Sequence, residues 1–304
     1  MGTQRISRTR VAGRTRTPHL LVVGNRNASG ARPGLLDDVA SAIRQQGGRA
    51  DTACTASLDE LAEVWPRDPE RRVVVIGGDG TVHAAAAIPG PHPELALIPA
   101  GGANNVASSL GIPVSPAEAI RVAMTGRPRP LDLIVASTPT REHVAVEGVS
   151  IGYLARARER YRAANSAHPL TAAWAGLGAL ATHRPICVRL ELDGEAEILR
   201  ASQVFVANLA RYGPSLRVAP HADADDGLLD VVTLGPRGRL GVVRMMRDLQ
   251  RGRLHEPLDR VRRAAHVRIS TGGASPVVAD STNLGRGPVE LWSLPRALQM
   301  VVPS

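Results

Sequence analysis

The pattern of apolar and polar positions changes near residue 130. Before that point, short apolar runs alternate with amphipathic stretches, which predicts strands near 20–23, 49–55, 73–76 and 95–98 and helices near 35–46, 57–65, 84–87, up to 110 and 116–124. Strands alternating with helices are typical of an open parallel sheet. The run Val73-Val74-Val75-Ile76 is apolar throughout, so we expect a strand buried on both faces.

After residue 130 the strand-like runs are separated mostly by turns. They lie near 131–136, 144–146, 186–192, 203–208, 228–234, 266–270, 277–279, 289–292 and 298–302, with helices near 154–164, 170–181 and 240–251. This spacing predicts a mainly antiparallel β-sandwich. The expected organisation is therefore a basic tail over 1–17, an α/β domain over 18–130 and a β-sandwich domain over 131–304, whose last residues could rejoin the first domain.

Three glycine-rich turns follow strands of the first half: Asn25 to Gly30, Gly77 to Thr81, and Pro99 to Ala107. In a parallel sheet such turns meet at one edge, where ligands bind, and their backbone N–H groups favour an anion such as phosphate. Asp79 lies inside the second turn, where a carboxylate repels phosphate unless it binds magnesium or takes a proton. Taken singly, each turn is also compatible with an ordinary polar loop.

The types of basic residue present exclude several kinds of active site. The sequence has no lysine, so all 37 basic residues are arginine. A Walker A loop, a protein kinase and Schiff-base catalysis each need a lysine and are excluded. Any nucleotide chemistry must therefore rely on backbone amides, asparagine, arginine and metal.

Charge and composition bear on location and partners. The formal net charge is +9, and the 1–17 segment carries Arg5, Arg8, Arg10, Arg14 and Arg16 without an acid. We expect this tail to be a disordered extension, with attraction to an anionic membrane as the functional alternative.

Aromatic residues make up 2% of the chain, which argues against a specific nucleic-acid site. No apolar run approaches the roughly 20 residues that span a bilayer. A cytoplasmic protein, peripheral at the inner face of the membrane, is expected; a homodimer is left open.

Together these motifs resemble the lipid kinase family that includes bacterial diacylglycerol kinases and is related to sphingosine kinases and NAD kinases. Gly77 to Thr81 matches its Gly-Gly-Asp-Gly-Thr loop, and Asn25 to Gly30 and Pro99 to Ala107 are similar to its other two loops. The later segments Gly148 to Gly152 and Asp225-Asp226-Gly227-Leu228-Leu229-Asp230 resemble further landmarks. The resemblance implies a nucleotide-binding α/β domain, a lipid-binding β-sandwich and an active site between them.

The resemblance also implies a reaction, transfer of the ATP γ-phosphoryl group to the hydroxyl of a diacylglycerol-like lipid at the membrane surface, with ATP and Mg²⁺. The residues that it assigns to nucleotide are Asn25, Gly77, Gly78, Gly80, Thr81, Gly101, Gly102 and Asn104. Asp280 would be the catalytic base, and Asp79 would act on metal or substrate. Asp226, with Asp223 as the weaker candidate, would bind a structural Mg²⁺; a solvated acidic turn is the alternative.

The sequence departs from the family pattern at several positions. The family's Asn-Glu is His83-Ala84 here, Gly102 replaces Thr, Asn105 replaces Asp, and the Asp-Gly-Glu segment is Asp280-Ser281-Thr282. Three carboxylates are therefore missing. One alternative to a working kinase is a member that binds nucleotide or lipid with impaired turnover.

A second alternative to a kinase is an enzyme of another class, a serine hydrolase. Gly148-Val149-Ser150-Ile151-Gly152 fits the Gly-x-Ser-x-Gly elbow of serine hydrolases, with a predicted strand before it and a helix after it. A triad would then need a later acid and histidine, such as Asp230 with His255 or His266.

Overall fold

The computed structural model describes residues 19–26, 34–66, 68, 71–164 and 169–304. The predicted tail and most of the first glycine turn lie outside these residues. The N-terminal elements are β1 (His19–Asn25), α1 (Leu35–Gln45), β2 (Arg49–Thr55), α2 (Leu58–Val64), β3 (Arg72–Gly77), α3 (Asp79–Ala86), β4 (Glu94–Pro99), α4 (Asn105–Ser109) and α5 (Pro116–Thr125).

Local sequence accounts for these elements. Strand β3 is buried along nearly its whole length, with Val73 and Val75 in one core and Val74 and Ile76 in the core on the other face. Ser57 caps α2 by accepting a hydrogen bond from the Glu60 N–H (3.2 Å). The strands lie in the order β2-β1-β3-β4, and all pairs are parallel. Their carboxyl ends, which carry the glycine turns, therefore meet at one edge.

The second half contains β5 (Arg127–Thr138), β6 (Arg141–Ala145), β7 (Gly148–Gly152), α6 (Tyr153–Ala163), α7 (Pro169–Ala181), β8 (Ile186–Leu192), β9 (Glu195–Ala201), β10 (Gln203–Ala207), β11 (Arg211–Tyr212), β12 (Leu216–Arg217), β13 (Leu229–Leu234), α8 (Arg239–Gln250), β14 (Asp259–Ala264), β15 (His266–Ser270), β16 (Val277–Ala279), β17 (Thr282–Asn283) and β18 (Val289–Val302). One sheet has the order β14-β13-β10-β7-β16-β17, with antiparallel pairing throughout. Aliphatic side chains from this sheet pack against those of β5, β8, β15 and β18.

Strand β18 joins the two halves. Its first residues pair with β15, its last residues pair in parallel with β4, and it pairs with β5 over most of its length. The parallel sheet thus continues through β18 into β15, β8 and β9. Strand β5 crosses the predicted domain boundary at residue 130, so the position of that boundary stays a prediction.

The predicted fold class is confirmed: a parallel α/β sheet is followed by an antiparallel, β-rich region. Some details differ. The strands predicted at 289–292 and 298–302 are one strand, β18, with an irregularity between Leu294 and Leu298. Strands β9 and β14 were not predicted, because both are rich in charged residues and half exposed.

Candidate active site

The glycine turn after β3 is packed against the turn after β4. A Cβ added to Gly78 would lie 2.8 Å from the Cα of Gly101, and one added to Gly101 would lie 2.6 Å from the Cα of Gly78. Real Cβ atoms do not approach a backbone so closely, so both positions require glycine. The Ala100 N–H donates to the Gly77 carbonyl (2.8 Å) and fixes the two turns together.

Asn104 holds the shape of the turn after β4. It adopts a left-handed conformation (φ 49°), which asparagine tolerates better than most residues. Its side chain accepts a hydrogen bond from the Gly101 N–H (3.0 Å) and donates to the Gly101 carbonyl (2.9 Å). Asn104 therefore fixes the conformation of the turn through Gly101 and is not among the residues that line the cleft.

A cleft of about 880 Å³ begins at these turns. Of the residues predicted to bind nucleotide or act in catalysis, those that line it are Asn25, Gly78, Asp79, Gly80, Thr81, Gly101, Gly102 and Asp280. Gly77 and Asn104 do not line it. Helix α3 begins at Asp79, so its N-terminal N–H groups lie beside the turn, an arrangement that favours a bound anion.

Asp280 lies deeper in the cleft, directly after β16. Its Oδ1 accepts hydrogen bonds from the N–H groups of Glu147 (2.9 Å) and Gly148 (3.1 Å), and its Oδ2 accepts one from Val146 (2.8 Å). The Tyr212 hydroxyl donates to the backbone carbonyl of Asp280 (3.0 Å). The Asp280 side chain therefore binds the β6–β7 connection, which is distant in sequence.

His83 and Glu147 complete an ionic cluster around Asp280. The Nε2 of His83 lies 3.1 Å from Oε1 of Glu147 and 3.3 Å from Oδ2 of Asp280. The Asn105 side chain donates to Oε2 of Glu147 (2.7 Å). Asp79 lies four residues before His83, on the same face of α3. Glu147 was missed by the sequence analysis; its one local signal is a lone acid within the apolar run from Val144 to Ile151.

Burial and charge set the protonation of this cluster. Burial alone would lower the pKa of His83, but the Asp280 and Glu147 carboxylates outweigh it and raise the pKa to about 9. Burial raises the pKa of Glu147 to about 7, with His83 acting in the opposite direction. Within the described residues, these three side chains form a group close enough to hold a metal ion.

The His83 charge should make stability depend on pH. Because the folded pKa lies above the unfolded value of 6.5, the stabilisation is complete below about pH 6.5 and is lost as pH rises towards 9. The unfolding free energy should fall by on the order of 2 kcal/mol across this window, measured by urea unfolding at several pH values. Because removal of His83 also raises the pKa of Glu147 further, Glu147→Gln is compared with the double variant His83→Gln/Glu147→Gln, and the double variant should be flat above pH 7.

A second histidine serves as the control for that experiment. His255 contacts Asp248 (3.0 Å) from a half-exposed position outside the cleft, so His255→Gln removes one histidine without altering the ionic cluster. If the double variant declined as steeply as Glu147→Gln between pH 7 and 9, His83 would not carry the charge assigned to it.

The far end of the cleft is apolar. Helix α6 contributes Leu154 and Ala157, α7 contributes Ala172 and Gly176, and α8 contributes Met246. Tyr153, Arg158 and Tyr161 line the same region. The cleft therefore runs from glycine turns that favour an anion, past the ionic cluster, to a surface that favours hydrocarbon.

Comparisons with known proteins agree with this geometry. The model described as "Diacylglycerol kinase catalytic domain" matches residues 19–136, and "YegS C-terminal NAD kinase beta sandwich-like domain" matches residues 147–302. A diacylglycerol kinase of Mycobacterium tuberculosis is 30% identical over 238 residues, which cover 76% of each chain. The chain belongs to the diacylglycerol kinase family.

A further relative and two solved structures are also similar to this chain. A probable YegS-like lipid kinase of Pseudomonas putida is 27% identical over 239 residues, covering 76% of this chain and 77% of its own. The fold is similar to that of a putative diacylglycerol kinase from Bacillus anthracis, with a TM-score of 0.74, 19% identity and coverage of 95% and 98% of the two chains. An NAD kinase from Archaeoglobus fulgidus, solved with ATP, has a TM-score of 0.50, 14% identity and 93% coverage of each chain.

The contact between Asn105 and Glu147 lies at a position where this chain departs from the family pattern. The family pattern has a carboxylate at position 105, where this chain has Asn105. The structure shows that the Asn105 amide is hydrogen-bonded to the carboxylate of Glu147. Glu147, from the β6–β7 connection, therefore places a carboxylate beside the position at which the family pattern has one.

The two predicted metal ligands lie outside the cleft, in the acidic turn before β13. Asp223 is ion-paired with Arg129 (2.7 Å), and Asp226 with Arg263 (3.4 Å). Asp225 also contacts Arg129 (3.1 Å), and this contact raises the pKa of the arginine. Guanidinium groups thus provide the counter-charge that the prediction assigned to Mg²⁺. Metal binding by Asp223 and Asp226 stays a prediction.

The hydrolase alternative is not supported by the local structure. Gly148 to Gly152 form strand β7 instead of a sharp turn, and Ser150 lies in the middle of the strand, almost fully buried. A nucleophile elbow needs its serine exposed on the turn between strand and helix. Ser150 instead accepts a hydrogen bond from the Gln203 side chain (3.0 Å). The elbow interpretation is therefore wrong.

Proposed function

We propose that this protein transfers the γ-phosphoryl group of ATP to the hydroxyl of a diacylglycerol-like lipid. The observation that carries the proposal is the order of groups along one cleft: glycine turns and α3, then Asp280 beside His83 of α3, then apolar residues of α6 and α7, of which α6 packs against β16 and α7. This order matches a substrate pair in which phosphate and acyl chains lie on opposite sides of the reacting hydroxyl. Family membership supports a lipid kinase activity of this general kind.

In the proposed reaction, the backbone N–H groups of the glycine turns and the N-terminus of α3 bind the phosphates. Asp280 takes the proton of the lipid hydroxyl. The hydroxyl oxygen forms a bond to the γ-phosphorus, the bond from that phosphorus to the β-phosphate oxygen breaks, and ADP leaves with its electron pair. Rigid binding of Asp280 by three N–H groups positions the carboxylate for this step.

Mg²⁺ is proposed at the nucleotide, where one carboxylate and the phosphates are its usual ligands. Asp79 fits this requirement because it lines the cleft beside the glycine turn and its Oδ1 accepts from the Val106 N–H (2.9 Å), which fixes the side chain. When bound, Mg²⁺ would neutralise phosphate charge during transfer. The charge of His83, four residues along α3, would moderate the repulsion between Asp280 and the phosphates.

The lipid would be reached at a membrane surface, and we propose a peripheral protein of the cytoplasmic face. No helix in the described part of the chain has the length and apolar character needed to cross a bilayer. A homodimer stays a prediction. The impaired-turnover alternative also stays open, since His83, Asn105 and Thr282 replace residues of the family pattern.

The test is a transfer assay with the full chain, labelled ATP, Mg²⁺ and a mixed lipid extract. We expect label in a phosphorylated lipid, identified by mass spectrometry, and diacylglycerol alone should replace the extract. A reaction without lipid controls for ATP hydrolysis. If ATP bound but no lipid acquired label, the impaired-turnover alternative would replace the kinase proposal.

A further inference from the structure

Helix α7 presents an apolar face to solvent. Its sequence contains no charged residue. Leu170, Trp174 and Leu177 have exposed fractions of 63%, 71% and 55%. Their spacing of four and three residues places them on one side of the helix. Large apolar side chains left exposed together, unlike single ones, mark an interaction surface.

The opposite side of α7 faces the protein. Ala175 and Ala179 are buried, and Ala172 and Gly176 line the apolar end of the cleft. One thin helix with small inward-facing residues therefore separates the cleft from the exposed face. Whatever covers the exposed face lies within one helix diameter of the proposed lipid site.

Helix α8 extends this surface. It packs beside α7 and exposes Leu240 (87%) and Val243 (44%). We refer to Leu170, Trp174, Leu177, Leu240 and Val243 together as the apolar helical face. Met246, three residues beyond Val243, lines the cleft, so α8 also links the exposed face to the proposed lipid site.

The charged residues around the apolar helical face are mainly basic. Helices α6 and α8 carry the exposed Arg160, Arg162, Arg239, Arg244 and Arg247. The two acidic residues of these helices have partners, because Glu159 is ion-paired with Arg286 (2.6 Å) and Asp248 contacts His255 (3.0 Å). An apolar surface with a basic border matches hydrocarbon beneath anionic head groups.

We propose that the apolar helical face docks on an anionic lipid bilayer, with α7 lying in the plane of the interface. The proposal deepens the lipid kinase function and rests on it for the identity of the cleft ligand. The 13 residues of α7 span about 20 Å, too short to cross the roughly 30 Å hydrocarbon core. Tryptophan favours the interface between hydrocarbon and head groups, where Trp174 would lie.

The same charges argue against a second copy of the chain as the occupant. A two-fold dimer places the same surface of both copies face to face. The arginine borders would then approach each other, and like charges at an interface are unfavourable. A bilayer that contains anionic lipid reverses the sign of this interaction.

The experiment measures binding of the full chain to two kinds of vesicle, one of phosphatidylcholine alone and one that also contains about 30% phosphatidylglycerol to supply negative surface charge. We expect strong binding to the anionic vesicles and a blue shift of Trp174 emission. Trp174→Ser with Leu177→Ser should weaken binding roughly tenfold or more. Arg244→Gln with Arg247→Gln should weaken it mainly at low salt.

Ile198→Ser is the matched control. Ile198 is as exposed as Trp174, at 71%, but lies on β9, away from the helices. Its replacement should leave vesicle binding unchanged. Equal binding by the α7 variant and the wild-type chain would overturn the proposal. So would a dimer in analytical ultracentrifugation that the α7 variant abolishes, because the face would then bind a second copy.

Activity measurements separate this proposal from the kinase proposal. The α7 variant should phosphorylate a short-chain diacylglycerol dissolved as monomers at the wild-type rate, and should lose rate only with vesicle substrate. Vesicle binding without any phosphoryl transfer would refute the kinase proposal alone. Transfer with wild-type vesicle binding in the α7 variant would refute the docking proposal alone.

Discussion

Asp280→Asn should lower lipid kinase turnover by about two to four orders of magnitude with little change in ATP affinity. The substitution removes the proton acceptor but keeps the shape of the side chain. Asparagine also suits the backbone, because Asp280 has φ 48°, a left-handed conformation that asparagine tolerates and alanine does not. Single-turnover assays with labelled ATP would give the rate, and calorimetry would give the nucleotide affinity.

The introduced amide must place its NH₂ group where the carboxylate of Asp280 now accepts hydrogen bonds from N–H groups. A loss of stability of about 1–3 kcal/mol is therefore expected, and unchanged ATP affinity is the check that the cleft remains intact. Glu147→Gln is the comparison, since Glu147 is the second buried carboxylate beside His83. It should reduce the rate less. Near-full activity in Asp280→Asn together with loss in Glu147→Gln would transfer the role of base to Glu147.

Gly78→Val should lower ATP affinity by at least about two orders of magnitude. Its Cβ alone would lie 2.8 Å from the Gly101 Cα, so the two glycine turns must move apart. A β-branched residue also restricts the backbone at the N-terminus of α3, where Gly78 is the N-cap. The N–H groups that we assign to phosphate would then lose their common orientation. Calorimetric titration with ATP and Mg²⁺ measures the effect.

Gly287→Ala is the neutral control for this substitution, because an added Cβ there meets nothing within 4 Å and the residue lies outside the cleft lining. Thermal denaturation should show that Gly78→Val remains folded. Gly101→Val approaches the same contact from the other turn and should have a similar effect on ATP affinity. Wild-type ATP binding in both valine variants would remove the glycine turns as the nucleotide site.

Local sequence patterns were sufficient to predict the strands of the parallel sheet and the glycine turns that follow them. Four consecutive apolar, mostly β-branched residues in β3 indicate burial on both faces, and Gly77, Gly78 and Gly80 mark the turn that follows. The run Val277 to Ala279 also identified the strand that ends immediately before Asp280. Each of these features depends on neighbours within a few residues, which is the range over which sequence patterns are informative.

Non-local features could not be obtained in this way. The N–H groups that bind Asp280 belong to the β6–β7 connection, and the pairing of β7 with β16 that brings them together has no signature in either segment. Glu147 matters because it meets His83 and Asn105, which lie on different helices. The elbow interpretation placed a turn at Gly148 to Gly152, because glycines often mark turns. Pairing with β10 on one side and β16 on the other makes this segment a central strand.

Strand β18 has a consequence for fragments of the chain. A fragment that ended before Val289 would leave β4 and β5 without their neighbour, and both would present unpaired N–H and C=O groups along the parallel half of the sheet. Exposed apolar edges of this kind recruit other chains and aggregate. Strand β18 therefore protects the first half of the chain as well as closing the second, and an isolated N-terminal α/β half should aggregate unless this distant strand is supplied with it.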